Sequence, residues 1–235
     1  MGNRRAEGAV LGDLAVLYMA KEDLAQASKH HEEALVIHRE VGERHGEGVV
    51  LANLGSLRHR QGLLDESRRF LEAALSVHRE IGNRRAEGTA LGNLATIHFE
   101  EGRFEEARQT CEAAIEIHRE VGYSRGLASV LSLLGRVHAD QGECEEARRC
   151  AREAVEVVES VDQGEAVKAI CVLGMVEHRC GDVPAARSAL EMARSIASRF
   201  DFAPESEVGR VIEDLARVFD ASEKMGGAGS PQDLV

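Results

Sequence analysis

The chain has 235 residues, 43% hydrophobic, 30% charged and only 3% aromatic, and its 29 basic against 41 acidic side chains give a formal charge of -12. Such an acid surplus repels phosphate backbones and argues against nucleic acid as a partner. Apolar runs such as Ala9-Val10-Leu11 end after three or four residues, so no membrane span fits, and Met1-Gly2-Asn3-Arg4-Arg5 leads into no signal-peptide core. Five irregularly spaced cysteines make no disulfide framework and point to a reducing, cytoplasmic setting.

In chain order, the first signal is self-similarity. Gly2-Asn3-Arg4-Arg5-Ala6-Glu7-Gly8 returns identically as Gly82 to Gly88, with Gly42-Glu43-Arg44-His45-Gly46-Glu47-Gly48 between them and a weaker copy from Gly122. His38-Arg39-Glu40-Val41, His78-Arg79-Glu80-Ile81 and His118-Arg119-Glu120-Val121 keep the same 40-residue spacing. A fifth copy, after Asp162, is one residue short.

Each unit reads as two helices. Leu51, Leu54, Gly55 and Arg58 share one face of the first, as do Leu11, Leu14, Ala15 and Tyr18 one period earlier. Gly62, Gly102, Gly142 and Gly181 mark the turn, where glycine takes positive φ. The second helix opens on acids (Asp65-Glu66, Glu105-Glu106, Glu145-Glu146) and closes on His-Arg, each charge at the favourable end of the helix dipole. Its buried stripe holds small residues, as in Ala107, Cys111 and Ala114.

Leu51-x2-Leu54-Gly55-x2-Arg58, followed by Ser67-x3-Leu71-x2-Ala74, resembles the tetratricopeptide repeat. The resemblance runs over residues 1 to about 200, with no tryptophan opening a unit, Arg39, Arg79 and Arg119 in place of the closing proline, and a period of 40 rather than the common 34. The longer period is similar to that of kinesin light chain and spindle-orientation adaptors, and the motifs are most like those of bacterial regulatory proteins. The resemblance implies an all-α, right-handed α-solenoid of five helix-turn-helix units, at about 2–41, 42–81, 82–121, 122–161 and 162–200. A capping helix is expected at 204–221, where Val208, Val211, Ile212, Leu215, Val218 and Phe219 form one stripe, and a flexible tail at 222–235. No cap precedes Arg5, so self-association through the N-terminal edge is a possible consequence.

In the families resembled, an asparagine before the Leu-Gly or Leu-Ala pair points into the concave groove and holds an extended peptide. The matching positions here are Asp13, Asn53, Asn93, Leu133 and Val172. Ser56, His59, Thr89, Thr96, Phe99 and Val49 are expected on the same face, with Arg136 further along. An amide offers both a donor and an acceptor, matching an unpaired peptide unit. The alternative for Asn53 and Asn93 is a solvated position copied by duplication.

Histidines and acids keep the repeat frame, and no His-Glu-x-x-His, Cys-x-x-Cys or phosphate-loop pattern occurs, so neither metal, cofactor nor catalytic residue is expected. His98 and His138 stand where Tyr18 stands, and Cys111 within a packing stripe; both sets read as structural. The expected function is a non-catalytic interaction scaffold binding a peptide or partner protein in the groove. The alternative, from the same resemblance, is the C-terminal regulatory or sensory module of a larger bacterial signalling ATPase, kinase or transcription regulator.

Overall fold

A computed structural model describes residues 2–226, and among them are eleven helices and no strand. These are α1 (Gly2–Ala20), α2 (Leu24–Glu40), α3 (Arg44–Arg60), α4 (Leu64–Glu80), α5 (Arg84–Glu100), α6 (Phe104–Glu120), α7 (Ser124–Asp140), α8 (Cys144–Val158), α9 (Gln163–Arg179), α10 (Val183–Arg199) and α11 (Glu207–Gly226). They fall into two compact units divided between Gly126 and Leu127.

Local chemistry sets the helix ends in the first unit. Asp23, Glu43 and Asn83 each accept a hydrogen bond from the backbone N–H three residues on, which satisfies a donor left open by the helix start. Between the two helices of a pair the chain must pass through the left-handed region. Gly62 and Gly102 do so at φ 75° and 73°. The first pair has Glu22 at the equivalent position, at φ 61°, where its Cβ meets a steric cost that glycine avoids.

The core of this unit is built from Leu51, Leu54, Leu57 and Leu71 against the small Ala27, Ala34 and Ala74, all at most 1–2% exposed. Small residues on the second helices let α3 lie close to α2 and α4. Arg58 ties these three helices together. Its guanidinium donates to Ser28 Oγ at 3.0 Å and Glu32 at 2.9 Å on α2, and pairs with Glu66 on α4 at 2.9 Å.

The recurring motifs form the seams of the stack. Glu47, only 6% exposed, accepts from Arg39 Nε at the end of α2 (2.9 Å) and from Arg44 Nη1 on its own helix (2.5 Å). Arg44 also pairs with Glu80 at the end of α4. The same arrangement returns one period on: Glu87 accepts from Arg79 (2.9 Å) and Arg84 (2.6 Å), and Arg84 reaches Glu120 at 2.6 Å. Burial alone would push the Glu47 and Glu87 carboxyls up, but the paired arginines outweigh it and hold both below the usual carboxylate range.

The histidine of each motif fills the adjoining space. His78 lies so near Gly48 that a Cβ there would come within 2.6 Å of the ring, and His118 stands to Gly88 in the same way at 2.7 Å. Burial lowers the pKa of both rings, so they pack as neutral imidazoles. These histidines are structural, as their periodic placement implied.

His31 is different. It is fully buried at the position that Leu71 and Cys111 hold in the next two repeats, and neither ring nitrogen has a hydrogen-bond partner. Desolvation, with a smaller push from His30, takes its pKa down to about 4.

In the second unit, α9, α10 and α11 enclose Ile170, Cys171, Ala186, Leu190, Ala193, Val208, Ile212, Leu215 and Phe219. The amphipathic stripe expected after Pro204 is therefore the cover of α9 and α10. The helix differs from expectation in its bounds: it starts at Glu207 and continues past Ala221 to Gly226. The rest of the expected tail, residues 227–235, lies outside the described residues. Buried Glu177 on α9 is held from α8 by Arg148 (2.7 Å) and Arg152 (3.4 Å). At the shortened fourth junction Asp162 is extended (φ -151°) and caps α9 by accepting from Glu165 N–H.

The cysteines correct the sequence reading. Cys144, at the start of α8, is disulfide-bonded to Cys180, at the end of α9, with Cα atoms 5.6 Å apart. The bond joins two successive repeats at their turns, a pairing that spacing within one helix could not suggest. Cys111, Cys150 and Cys171 are buried and outside the disulfide, and burial pushes the Cys171 thiol up to about 12.

Three outcomes follow from this packing. Glu22→Gly removes the strained turn residue and is expected to stabilise the chain by about 1 kcal/mol, read from denaturant melts. His31→Leu, which restores the residue of the second repeat, is expected to stabilise by about 1–3 kcal/mol at pH 7. Because the folded pKa of His31 lies below its ordinary value, its contribution is intact above about pH 6.5 and falls away as pH drops towards 4. The variant should lose less stability across that window. Reducing the disulfide, or Cys144→Ser, is expected to cost up to about 4 kcal/mol for a closed loop with a sequence separation of 36, lowering the melting of the second unit specifically.

Candidate functional site

In the first unit the first helices of successive repeats lie side by side. Arg60 on α3 donates to the Met19 carbonyl on α1 at 3.2 Å, and His59 on α3 pairs with Glu100 on α5 at 2.8 Å. The face shared by α1, α3 and α5 is therefore continuous across three repeats, and most of the expected site residues lie on these helices.

Asn53 and Asn93 occupy equivalent places in α3 and α5. Both are half-buried, and neither side-chain amide makes a hydrogen bond among the described residues. Asp13, one period earlier, is exposed on α1. The hydroxyls nearby are bonded to the turn before them: Ser56 to the Ala52 carbonyl (3.1 Å), Thr89 to Arg85 (3.1 Å) and Thr96 to Gly92 (3.2 Å). Each uses its one donor in this way and keeps acceptor capacity. Val49 adds a 40% exposed apolar patch.

Other expected members are placed differently. His59 is occupied by Glu100, a partner that sequence reading missed because the two residues are 41 apart, one period plus one. Phe99 is half-buried and its ring meets Phe104 at 5.8 Å, so much of it serves the turn after α5. Arg136 is exposed on α7, which belongs mostly to the second unit. Leu133, at the asparagine position, is 7% exposed and packs inward.

The chemistry of the face is polar and mixed in charge. Among the described residues no group of three or more His, Cys, Asp or Glu side chains could hold a metal ion, and no helix is long and apolar enough to cross a membrane.

Comparison with known proteins agrees with this architecture. Among solved structures, the chain is similar to BtubC (BKLC) from P. vanneervenii, at 23% identity over 83% of each chain with a TM-score of 0.70. It is similar to the TPR-like repeats of a putative kinesin light chain from Podosopora anserina, at 16% identity over 86% of this chain and all of that one, TM-score 0.66. A Rap protein complexed with Competence and Sporulation Factor matches 94% of this chain at 15% identity and TM-score 0.74, this chain spanning 66% of its length. No curated protein sequence matches. The profile of the MalT-like TPR region matches residues 8–217, most of the chain, and with the paired helices and their glycine turns it shows that the chain belongs to that tetratricopeptide family.

Proposed function

We propose that this protein is a non-catalytic scaffold that holds a peptide or a partner protein against the face of α1, α3 and α5. The observation that carries the reading is the pair of unpartnered amides, Asn53 and Asn93, one repeat apart on that face. A carboxamide presents a donor and an acceptor together, the complement of an extended peptide unit, and two of them at a fixed separation set the bound chain's register. Asp13 extends the row towards α1, and the hydroxyls of Ser56, Thr89 and Thr96 offer further acceptors. Among proteins of this fold, a Rap protein is found in complex with Competence and Sporulation Factor, which supports a binding role for such repeats.

The face lacks tryptophan and has few aromatic anchors of any kind, so affinity is expected to be modest. A second reading, a regulatory module within a bacterial signalling protein, is favoured by one observation: the match to the MalT-like TPR region over residues 8–217.

The test is the double variant Asn53→Ala/Asn93→Ala against a partner peptide bound by the wild type. Each hydrogen-bonded amide contributes about 1 kcal/mol, so binding is expected to weaken about thirtyfold by calorimetry with unchanged helical circular dichroism. Equal affinity in the variant would move the binding surface away from these helices.

A further inference from the structure

Two columns of the repeat turn to cysteine in the same seam. The first residue of the second helix is Leu24, Leu64 and Phe104 in the first three pairs, Cys144 in the fourth and Val183 in the fifth. The residue before the turn position is Lys21, Gln61, Glu101 and Gln141, and then Cys180. Each second helix packs on the first helix of the next repeat, as α4 does on α5 and α8 on α9. The two exceptions to the repeat therefore face one another, and their sulfurs are bonded.

The bond closes one end of a seam that has other holds. Arg148, one turn into α8 from Cys144, donates to Glu177, about one turn before Cys180, at 2.7 Å, and Ala147 and Ala151 pack with Val176. Opening the bond thus frees the start of α8 and the end of α9 while the rest of the seam stays shut. Cys144 and Cys180 are half-buried, within reach of a small thiol, whereas Cys150 and Cys171 in the same unit are at most 1% exposed. Exchange is accordingly confined to the bonded pair. The Cys144 sulfur stands at the first turn of α8, where the N-cap residue Glu143 makes no side-chain cap bond and its carboxylate meets His138 Nδ1 at 2.5 Å. The acids that follow are offset, Glu145 by Arg148 at 2.9 Å and Glu146 by Arg149 at 2.5 Å. The open N–H groups of the helix start favour negative charge on Cys144, which makes it the better leaving thiolate.

We propose that Cys144 and Cys180 are a reversible thiol–disulfide site, opened by a low-molecular-weight thiol and closed by the corresponding small disulfide. An incoming thiolate attacks Cys180 Sγ, forming a mixed disulfide. The Cys144–Cys180 bond breaks, its electron pair leaves on Cys144 Sγ, and that sulfur takes up a proton. A second thiolate attacks the small-molecule sulfur of the mixed disulfide and releases Cys180, which is protonated in turn. The protein gains two thiols and the two small thiols become one disulfide; closure is the reverse. The site makes the hold between the fourth and fifth repeats depend on the redox poise around the protein.

The test equilibrates the full chain with mixtures of reduced and oxidised glutathione, followed by acid quench, alkylation and mass spectrometry. Both the bonded and the dithiol form are expected within the series, with Cys150 and Cys171 unmodified. Hydrogen exchange of the same samples should show the start of α8 and the end of α9 exchanging about tenfold faster in the dithiol form, with α10 unchanged. The variant Cys144→Leu/Cys180→Gln, which places there the residues of the α2–α3 seam, should exchange at one rate in every mixture. A bond that persists through excess reduced glutathione makes it a permanent staple and overturns the proposal. So do thiols that never pair in oxidised glutathione, equal exchange rates in the two forms, or the same redox response in the variant.

Discussion

A carboxylate buried between two hairpins decides how the first unit is assembled. Removing an ionised glutamate from water costs several kcal/mol unless charged donors replace the solvent. Glu47 and Glu87 receive two arginines each, one from their own helix and one from the preceding hairpin. A hairpin shifted by one residue would leave the carboxylate buried with a single partner. The ion pairs therefore act as a register key, while Leu54, Leu57 and the alanine stripes supply the apolar attraction. The histidines complete the key, since each ring requires a glycine opposite it and would clash with a side chain there.

Much of this architecture was legible from periodicity. The 3.6-residue stripes gave the pairs, and the positive-φ glycines gave the turns. Acids opening and His-Arg closing the second helices were visible as dipole chemistry, and a structural role for the histidines followed from their repetition. What the motif residues bind was not legible, because Arg39 and Glu47 meet only once the offset between neighbouring helices is known. The same gap hid the Cys144–Cys180 bond and the His59–Glu100 pair, both near one repeat period apart in sequence. Periodicity shows which positions are equivalent; contact across a seam depends on helix length and crossing, which a stripe does not encode.

The candidate site was legible in part for a related reason. Repetition marks residues that the stack itself needs, and these are the glycines, arginines, glutamates and histidines of the seams. Positions on the face of α1, α3 and α5 drift from repeat to repeat: Asp13, Asn53 and Asn93 on one row, Val16, Ser56 and Thr96 on another. Drift removes the sequence signal but is what a surface shaped for a non-repeating partner requires.

Departures from the repeat rule gather in the first hairpin. Glu22 occupies a turn position that glycine fills elsewhere, His31 puts an unpartnered imidazole into a stripe of apolar residues, and Val10 and Leu17 are exposed where Val50 and Leu57 are buried. In a stacked array each repeat is stabilised by its own folding and by its neighbours. A strained turn and a desolvated histidine lower the intrinsic part in the first hairpin. Within the first unit, the first hairpin therefore depends most on its packing against α3 for stability. A chain bound over Asp13 and the adjoining face would stabilise the hairpin that presents them, with no change of shape required.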